Sequence, residues 1–260
     1  MTEEPYRWVE AISNRREYIE HQLATGSPIA ALSYKGGILF LTLSRERQKI
    51  FEIYDRIAMG AIGHPGDIER LRMAAIEVAS TEGFTRSTAD VSLRRLTSYS
   101  LSPALKSAFE QIYGAPYLAR MLFAELGRKD ERNLFVRMDY DGSIHTNGGS
   151  HLRTFEDFGV ISGTAASTAA MEKFLGHQKI AEADLQTVLQ VALNAWTVGH
   201  LALNEEPHDE LPSAERIAEH RAAQLANFTI ESAVLEHNAR LPITFRPREA
   251  PELERLQQRA

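Results

Sequence analysis

The stretch that decides the fold is GSPIAALSYKGGILFLTL, residues 26–43 of the chain. It holds two short apolar runs on either side of a turn with the sequence KGG, and glycines supply the positive φ that tight turns require. Two further short apolar runs follow at residues 49–53 and 56–63. Four sequential strands of this kind predict an antiparallel sheet that begins with a β-hairpin.

The residues before this hairpin have a helical period. Between Pro5 and Leu23, polar and charged residues separate apolar ones that recur at helical spacing, namely Val9, Ile12, Ile19 and Leu23. Thr25 and Gly26 follow, and glycine tolerates the left-handed conformation that ends many helices. We therefore expect an amphipathic N-terminal helix directly before the first strand.

Beyond the hairpin and its two following strands, the apolar period alternates between helical and extended patterns. In chain order it predicts a helix from Pro65 to Gly83, a helix over 88–111 that bends or breaks near Pro103, strands over 116–126 and 133–140, a hairpin turn at Asp141 and Gly142, a strand over 158–163, helices over 164–175 and from the N-cap Asp184, and a strand over 227–236.

This order of elements is typical of an α+β protein in which two sheets pack face to face with helices outside. We predict a four-layer αββα sandwich with an N-terminal amphipathic helix. The sequence divides into that helix at residues 1–25, the sandwich domain at 26–247 and a charged C-terminal tail at 248–260.

Composition excludes several classes of function. Lys and Arg number 29 against 35 Asp and Glu, and the net charge of −6 offers no electrostatic footprint for nucleic acid or an anionic membrane. The chain has no cysteine, which excludes disulfides and thiolate metal sites. The N-terminus lacks the apolar core of a signal peptide, and no apolar stretch approaches the roughly 20 residues that span a bilayer. We expect a soluble, cytoplasmic protein.

Several stretches carry a resemblance to a known family. They are REYIEHQLATGSPIAALSYKGGILFLTL, KIFEIYDRIAMGAIGHPGDIERLR, and the later pair AELG and DYDGSI. In this order they resemble a proteasome α-type subunit of the bacterial, actinobacterial kind, and the resemblance extends over roughly residues 15–245. The sequence departs from archaeal and eukaryotic α subunits because it lacks their N-terminal tyrosine-aspartate-arginine gate motif.

The resemblance implies a fold, an assembly and a set of partners. The fold would be that of the N-terminal-nucleophile hydrolases, and the chain would form a homo-heptameric α ring stacked on rings of proteasome β subunits, which hold the active sites. In this family the α subunit itself is not an enzyme. It forms the outer ring of the 20S core, gates the entry of unfolded protein substrates and docks a ring-shaped ATPase or other activator.

The N-terminal helix then has two interpretations. It packs against its own domain, or it packs against the neighbouring subunit of a closed ring, in which an apolar contact is repeated head to tail. Both can hold together. In the second interpretation Met1 to about Glu4 would restrict the axial pore.

Ser27 aligns with the nucleophile of the family. Proteasomal β subunits use a threonine freed at the start of the chain, with its own amino group as the base and with help from an acid and a lysine. Here a predicted helix precedes Ser27, and Leu43 occupies the position of the acid. Since leucine can neither orient nor polarise a lysine, we expect no catalytic residue. The alternatives are an autonomous hydrolase that exposes Ser27 by autocleavage, and a ring scaffold without a protease partner.

Lys49 occupies the position where α subunits keep the lysine that lines pockets between neighbouring subunits. The resemblance implies that it attracts the C-terminal carboxylate of an activator, with Gly26 and Gly63 beside it. An ammonium group at the rim of a crevice suits this task because partial burial strengthens its pairing with a carboxylate. From the residues alone, Lys49 is a solvated lysine at the start of a strand, and the two glycines are a helix cap and a strand end.

The sequence indicates no metal and no cofactor. The closest histidine pairs, His145 with His151 and His200 with His208, fall in predicted loops or helix ends without a ligand pattern, which indicates surface histidines. The glycines at residues 36–37 do not make a phosphate-binding loop, since no helix follows them.

Overall fold

A computed structural model describes residues 5–45, 47–111, 113–128, 131–146, 157–203, 210–237 and 244–248, with side chains from residue 7 onward. Their helices and strands follow in this order: α1 (Pro5–Leu23), β1 (Ile29–Tyr34), β2 (Gly37–Ser44), β3 (Ile50–Tyr54), β4 (Ile57–Gly63), α2 (Pro65–Thr85), α3 (Leu93–Arg95), a π-helical turn (Leu96–Leu101), α4 (Ser102–Glu110), β5 (Ala119–Glu125), β6 (Leu134–Met138), β7 (Ile144–Thr146), β8 (Phe158–Ile161), α5 (Ala165–Gly176), α6 (Leu185–Leu203), α7 (Ala214–Leu225), β9 (Thr229–Glu236) and β10 (Phe245–Pro247). Residues 1–4 and all but the first residue of the predicted tail lie outside the described residues.

The described strands form two antiparallel sheets, in the orders β10-β9-β2-β1-β8 and β3-β4-β5-β6-β7. The prediction that the first four strands share one sheet is therefore wrong, because the chain leaves the first sheet after β2 and enters the second at β3. Every residue of β1 and all but the last of β2 are buried. Such uninterrupted apolar runs mark strands covered on both faces, but they do not indicate which strand lies alongside.

Alternate residues of β1 and β2 contribute to two separate cores. Ile29 and Phe40 belong to the core between the sheets, together with Leu122 and Phe135. The residues between them face α5 and α6, in a core that contains the fully buried Trp196. A further core joins the second sheet to α2, α3 and the π-helical turn. The predicted four-layer αββα sandwich is confirmed.

The helices over the second sheet differ from their predicted limits. α2 continues through Gly83 to Thr85, and glycine is needed there because a side chain would collide with the hydroxyl of Tyr54. The predicted helix over 88–111 is divided into α3, the π-helical turn and α4. The division occurs next to Pro103, as expected, because proline lacks an N–H and its ring clashes with the preceding turn.

The sequence pattern missed α7 and β10. α7 begins after Ser213, whose hydroxyl accepts a hydrogen bond from the backbone N–H of Arg216 (3.3 Å), and its one fully buried residue is Ile217. β10 has three residues, which is too short for alternation to be recognised. A polar helix and a very short edge strand both lack the apolar period on which the prediction rests.

The predicted limits of α1 are confirmed, and its two halves lie in different surroundings. Ile19 and Leu23 pack against Phe109 and Tyr140 of the sandwich. Near the start of the helix, by contrast, Trp8 is 47 % exposed. The apolar stripe of α1 therefore extends beyond the part that its own domain covers.

A buried cluster centred on Arg120 of β5 holds α1 against the sandwich. Arg120 donates to Glu20 of α1 (3.1 Å), to Asp139 and to the carbonyl oxygen of Ser162 (2.8 Å). The Tyr140 hydroxyl also donates to Glu20 (2.7 Å), and burial together with this carboxylate raises the pKa of Tyr140. Since the Arg120 side chain is only 7 % exposed, each member of the cluster depends on its partners for compensation of charge.

Replacing Arg120 by alanine removes the buried cation that pairs with Asp139, which is 18 % exposed, and with Glu20, which is 41 % exposed. We expect the free energy of unfolding to fall by about 3 kcal/mol or more. Thermal denaturation at fixed protein concentration measures the loss. The control is Lys106→Ala, which removes an exposed ion pair with Glu110 (3.7 Å) and should cost less than about 1 kcal/mol. Equal losses in the two variants would contradict the structural role of Arg120.

Candidate functional site

A cavity of about 680 Å³ opens where the end of α1, the approach to β3, the end of β4 and the start of α2 meet. Lys49, Gly26 and Gly63 all line it, although they are far apart in the sequence. Ser27 lines it as well. We call this cavity the Lys49 pocket. The structure thus brings together every residue that the sequence analysis singled out for activator docking.

Gly26 forms one wall of the Lys49 pocket because the chain turns sharply there. Its N–H donates to the carbonyl oxygen of Leu23 (2.8 Å), and its own carbonyl accepts from the N–H of Gly163 (3.0 Å). A Cβ atom at Gly26 would lie 2.9 Å from the Leu23 oxygen and 3.0 Å from Cδ1 of Ile62. Only glycine leaves room for this close passage of helix end and strand.

Gly63 ends β4 with a φ of +130°, a conformation that other residues rarely adopt. A side chain there would collide with the carbonyl oxygen of Leu118. The same oxygen accepts the N–H of His64 (2.7 Å), and Pro65 then begins α2. Proline suits the first turn because the missing N–H would have no partner there. The turn at Gly63 therefore sets the direction from which α2 leaves the pocket.

Lys49 is half-buried, and its backbone is held on two sides. Its N–H donates to both carboxylate oxygens of Glu231 (2.9 and 3.0 Å), and its carbonyl oxygen accepts from the N–H of Ala61 (3.0 Å). Burial lowers the pKa of the Lys49 ammonium to about 8, and the negative charge of Glu231 opposes this shift. Within the described part of the chain, no group forms a hydrogen bond or ion pair with this ammonium.

The other charged side chains of the Lys49 pocket are Arg47 and Glu69. Glu69 is already paired with Arg72 of the same helix (2.7 Å), and this contact lowers the pKa of its carboxyl group. The remaining described lining is mostly small, amide or apolar, and it includes Phe51 and Ile68. A half-buried cation beside an apolar wall can bind a carboxylate that carries an apolar side chain.

Ser27 is engaged in structural hydrogen bonds. Its hydroxyl donates to the carbonyl oxygen of Leu43 (2.8 Å) and accepts from the indole N–H of Trp196 (3.1 Å). The nitrogen of Ser27 is an ordinary peptide nitrogen that follows α1, and Leu43 is fully buried in the core against α6. Lys49 lines the same pocket, but the two side chains form no hydrogen bond. Among the described residues, none that could act as a base forms a hydrogen bond with the Ser27 hydroxyl.

The sequence analysis missed Glu231, whose carboxylate reaches the start of β3 from the neighbouring sheet. It lies opposite Thr42 in the pairing of β9 with β2, and it lines a second cavity of about 380 Å³ behind Lys49. The residue is separated from Lys49 by 182 positions. The available signal was a carboxylate next to Ile230 in the predicted strand over 227–236, because a carboxylate needs a partner wherever it is buried.

The histidines differ in part from their prediction. His145 is exposed and lies 3.9 Å from Asp139, whereas His151 and His208 lie outside the described residues. His200 is not a surface histidine: it is half-buried, stacks on Trp196 and forms a hydrogen bond with His220 (2.9 Å). Burial and the neighbouring His220 lower its pKa to about 4. The described residues contain no cluster of three or more side chains able to hold a metal ion.

None of the described helices combines the length and the apolar character that a membrane crossing requires.

Comparisons with known proteins identify the family to which the chain is related. A family model described as "Proteasome subunit" matches residues 24–197. A proteasome subunit alpha of Frankia casuarinae is 33 % identical over 199 residues, which are 72 % of this chain and 74 % of that protein. One from Nocardioides sp. is 29 % identical over 208 residues, or 78 % and 76 % of the two chains. With the Kineococcus radiotolerans protein, 32 % identical, the match spans 51 % and 56 %.

The family match begins one residue after the end of α1 and includes Gly26, Lys49 and Gly63 of the Lys49 pocket. It continues through α5 and into α6, so it contains strands of both sheets and helices of both outer layers. The matched region is well over half of the chain. The chain therefore belongs to the proteasome subunit family, as a subunit of the α type.

Proposed function

We propose that this chain is a non-catalytic α subunit that forms the outer ring of a proteasome core, restricts entry to it and docks an activator. One observation supports this most directly. The ammonium of Lys49 is half-buried in a pocket and lacks an ion-pair partner among the described residues. Burying part of a charge is costly unless something pairs with it, so a site of this kind is suited to an anionic ligand.

The ligand is a C-terminal carboxylate of a ring-shaped ATPase or other activator. The Lys49 pocket offers a cation for the carboxylate and an apolar wall with Phe51 for the side chains that precede it. A Cβ atom at Gly26 or at Gly63 would meet backbone atoms, so glycine allows the close turns of the chain that form these two walls of the pocket. This assigns to Lys49, Gly26 and Gly63 the docking role expected from the family.

The surface of α1 supports a contact between neighbouring subunits. Trp8, Val9 and Tyr18 are 47 %, 60 % and 52 % exposed, although all three are large apolar or aromatic residues. Single exposed apolar residues are common on monomers, but Trp8 continues the apolar stripe of α1 and Val9 lies beside it, whereas Tyr18 lies on the side opposite Val9. The proposed contact surface is therefore the part of α1 with Trp8 and Val9. In a homo-heptameric ring, each copy of this surface meets the next copy, and a stack on β subunits completes the particle.

The role in catalysis is left to the β subunits. The Ser27 hydroxyl donates a hydrogen bond to the carbonyl oxygen of Leu43. Ordinary peptide bonds join Ser27 to Gly26 and to Pro28. A nucleophile of this superfamily needs its own free amino group as a base. The hydrogen bonds of Ser27 instead connect β1, β2 and α6, which is a structural role.

Replacing Lys49 by alanine should weaken docking at least about tenfold, because a charge-assisted hydrogen bond contributes roughly 1.5–3 kcal/mol. The probe is a labelled peptide of the last ten residues of the activator ATPase from the same organism, titrated against the protein assembled with its β partner. An amidated form of the peptide tests the carboxylate.

The matched control is Lys35→Ala, which removes an exposed lysine in the turn between β1 and β2. It should leave docking unchanged. Equal affinities of the wild type and Lys49→Ala would remove the pocket from the proposed function.

Docking should also depend on pH with a definite sign. The pKa of Lys49 is about 8, so its side chain is positively charged below that pH and loses this charge as the pH rises through 8. The peptide carboxylate stays ionised over this range. Affinity should therefore be constant below about pH 7 and decrease between pH 8 and 9. In Lys49→Arg the decrease should disappear, since a guanidinium remains protonated. A flat wild-type profile over this range would contradict the pairing.

Deleting residues 1–7 should increase the rate at which the assembled particle degrades an unfolded protein such as casein. The reason is that the deletion removes the segment to which the proposed gating role is assigned. Hydrolysis of a short fluorogenic peptide should change much less. Deletion of residues 249–260 serves as the control. An unaltered rate with casein would argue against gating by this segment.

A further inference from the structure

Glu231 reaches Lys49 from outside the Lys49 pocket, and it contacts the backbone of Lys49 and Ile50. Both of its carboxylate oxygens accept the N–H of Lys49, and one of them also accepts the N–H of Ile50 (2.8 Å). Glu231 lines the second cavity and is not among the residues that line the Lys49 pocket. It therefore supports the lysine without occupying the space into which a ligand would enter.

The start of β3 needs such support because β3 is the edge strand of its sheet. Among the described strands, it pairs with β4 on one side and with none on the other. The N–H groups of Lys49 and Ile50 would otherwise lack partners at a half-buried position. Glu231 supplies these partners from β9, which belongs to the first sheet, so one carboxylate joins the two sheets at the base of the lysine.

The charges around Lys49 leave Glu231 as the carboxylate that offsets its ammonium. Glu69 faces the pocket from α2 but is engaged by Arg72. Arg47 adds a second positive charge from the same segment, and Arg45 and Arg248 line the second cavity. Several positively charged side chains thus surround Lys49. They make its ammonium form less favourable unless a carboxylate balances their charge.

We propose that Glu231 is a positioning residue for the docking lysine: it fixes the backbone from which Lys49 enters the pocket and offsets the cost of holding its ammonium there. This inference deepens the proposed function and rests on it. Two observations carry it, namely the contacts of one carboxylate with two successive N–H groups and the location of Glu231 outside the ligand space. Burial lowers the pKa of Lys49 and raises that of Glu231, and the attraction between the two charges opposes both shifts.

Two substitutions separate the contributions of charge and geometry. Glu231→Gln keeps an oxygen that can accept the two N–H groups but removes the charge. Glu231→Ala removes both. The matched control is Glu52→Gln, which neutralises an exposed carboxylate on the same strand β3 that does not act on Lys49.

The direct readout is the titration of Lys49 itself. The chain holds only six lysines, so reductive methylation with a ¹³C label gives a simple NMR spectrum, and Lys49→Arg identifies the Lys49 signal. In Glu231→Gln the midpoint of this signal should move to lower pH by about half a unit or more, which corresponds to roughly threefold less charged lysine at high pH. Glu52→Gln should match the wild type. A midpoint in Glu231→Gln that stays in place or moves upward would overturn the proposal.

Hydrogen exchange measures the second contribution. In Glu231→Ala the amide protons of Lys49 and Ile50 should exchange faster than in the wild type and in Glu231→Gln, because their acceptor is gone. Amides that stay equally protected in Glu231→Ala would refute the positioning role. The folding of each variant is verified by its NMR spectrum, and the glutamine variant carries the test if the alanine variant does not fold.

These measurements need no ligand, so they separate the two proposals. If Lys49→Ala binds the activator peptide normally, docking at Lys49 fails, whatever Glu231 does to the lysine. If Lys49→Ala abolishes docking while Glu231→Gln leaves the Lys49 titration unchanged, only the role of Glu231 fails. When both hold, peptide docking to Glu231→Gln should lose affinity at a lower pH than docking to the wild type.

Discussion

Both faces of the hairpin β1–β2 are buried, and this burial fixes the position of the elements around it. One face packs on α5 and α6 and the other packs on the second sheet, so neither strand can shift without opening a core. The first strand is also secured at its start, where the hydroxyl of Thr42 donates to the carbonyl oxygen of Pro28 (2.7 Å) and Gly163 donates to Gly26. The Lys49 pocket opens at this end of the hairpin, so its walls are attached to strands that are packed on both faces.

The same end of the hairpin places Ser27 and Lys49 on the wall of one pocket. α1 continues directly into the segment that precedes β1, and the Arg120 cluster holds that helix through Glu20. Ser27 follows this helix, and its hydroxyl donates to the carbonyl oxygen of Leu43 and accepts from the indole N–H of Trp196. The space beside it remains as a pocket whose one half-buried cation comes from the start of β3.

The elements that could be predicted from the sequence are those in which apolar residues recur regularly along one face. α1, α2, α5 and α6 each place apolar residues on one face, and their positions were predicted to within a few residues. Sheet membership could not be predicted, because β1 to β4 are short apolar runs that would fit either sheet equally well. α7 was missed since its packing uses few apolar residues. The proximity of Lys49, Gly26 and Gly63 came only through the family resemblance, as spacing along the chain carries no distance information. Glu231 joins the site through a pairing of β9 with β2 that no local pattern records.

The attachment of α1 has a mechanical consequence. Glu20, held by Arg120 and Tyr140, lies close to the end of the helix that borders the pocket, where Leu23 is a lining residue. A rise of 1.5 Å per residue places Leu23 about 4.5 Å beyond Glu20 and Pro5 about 22 Å before it. Arg15 and Arg16 also attach this helix, through the carbonyl oxygen of Gly114 (2.7 Å) and through Asp141 (3.1 Å), so its attached part extends from Arg15 to Leu23 over about 12 Å. About 15 Å of helix from Pro5 to Arg15 projects beyond this attachment, so any change in the tilt of α1 displaces its first residues most.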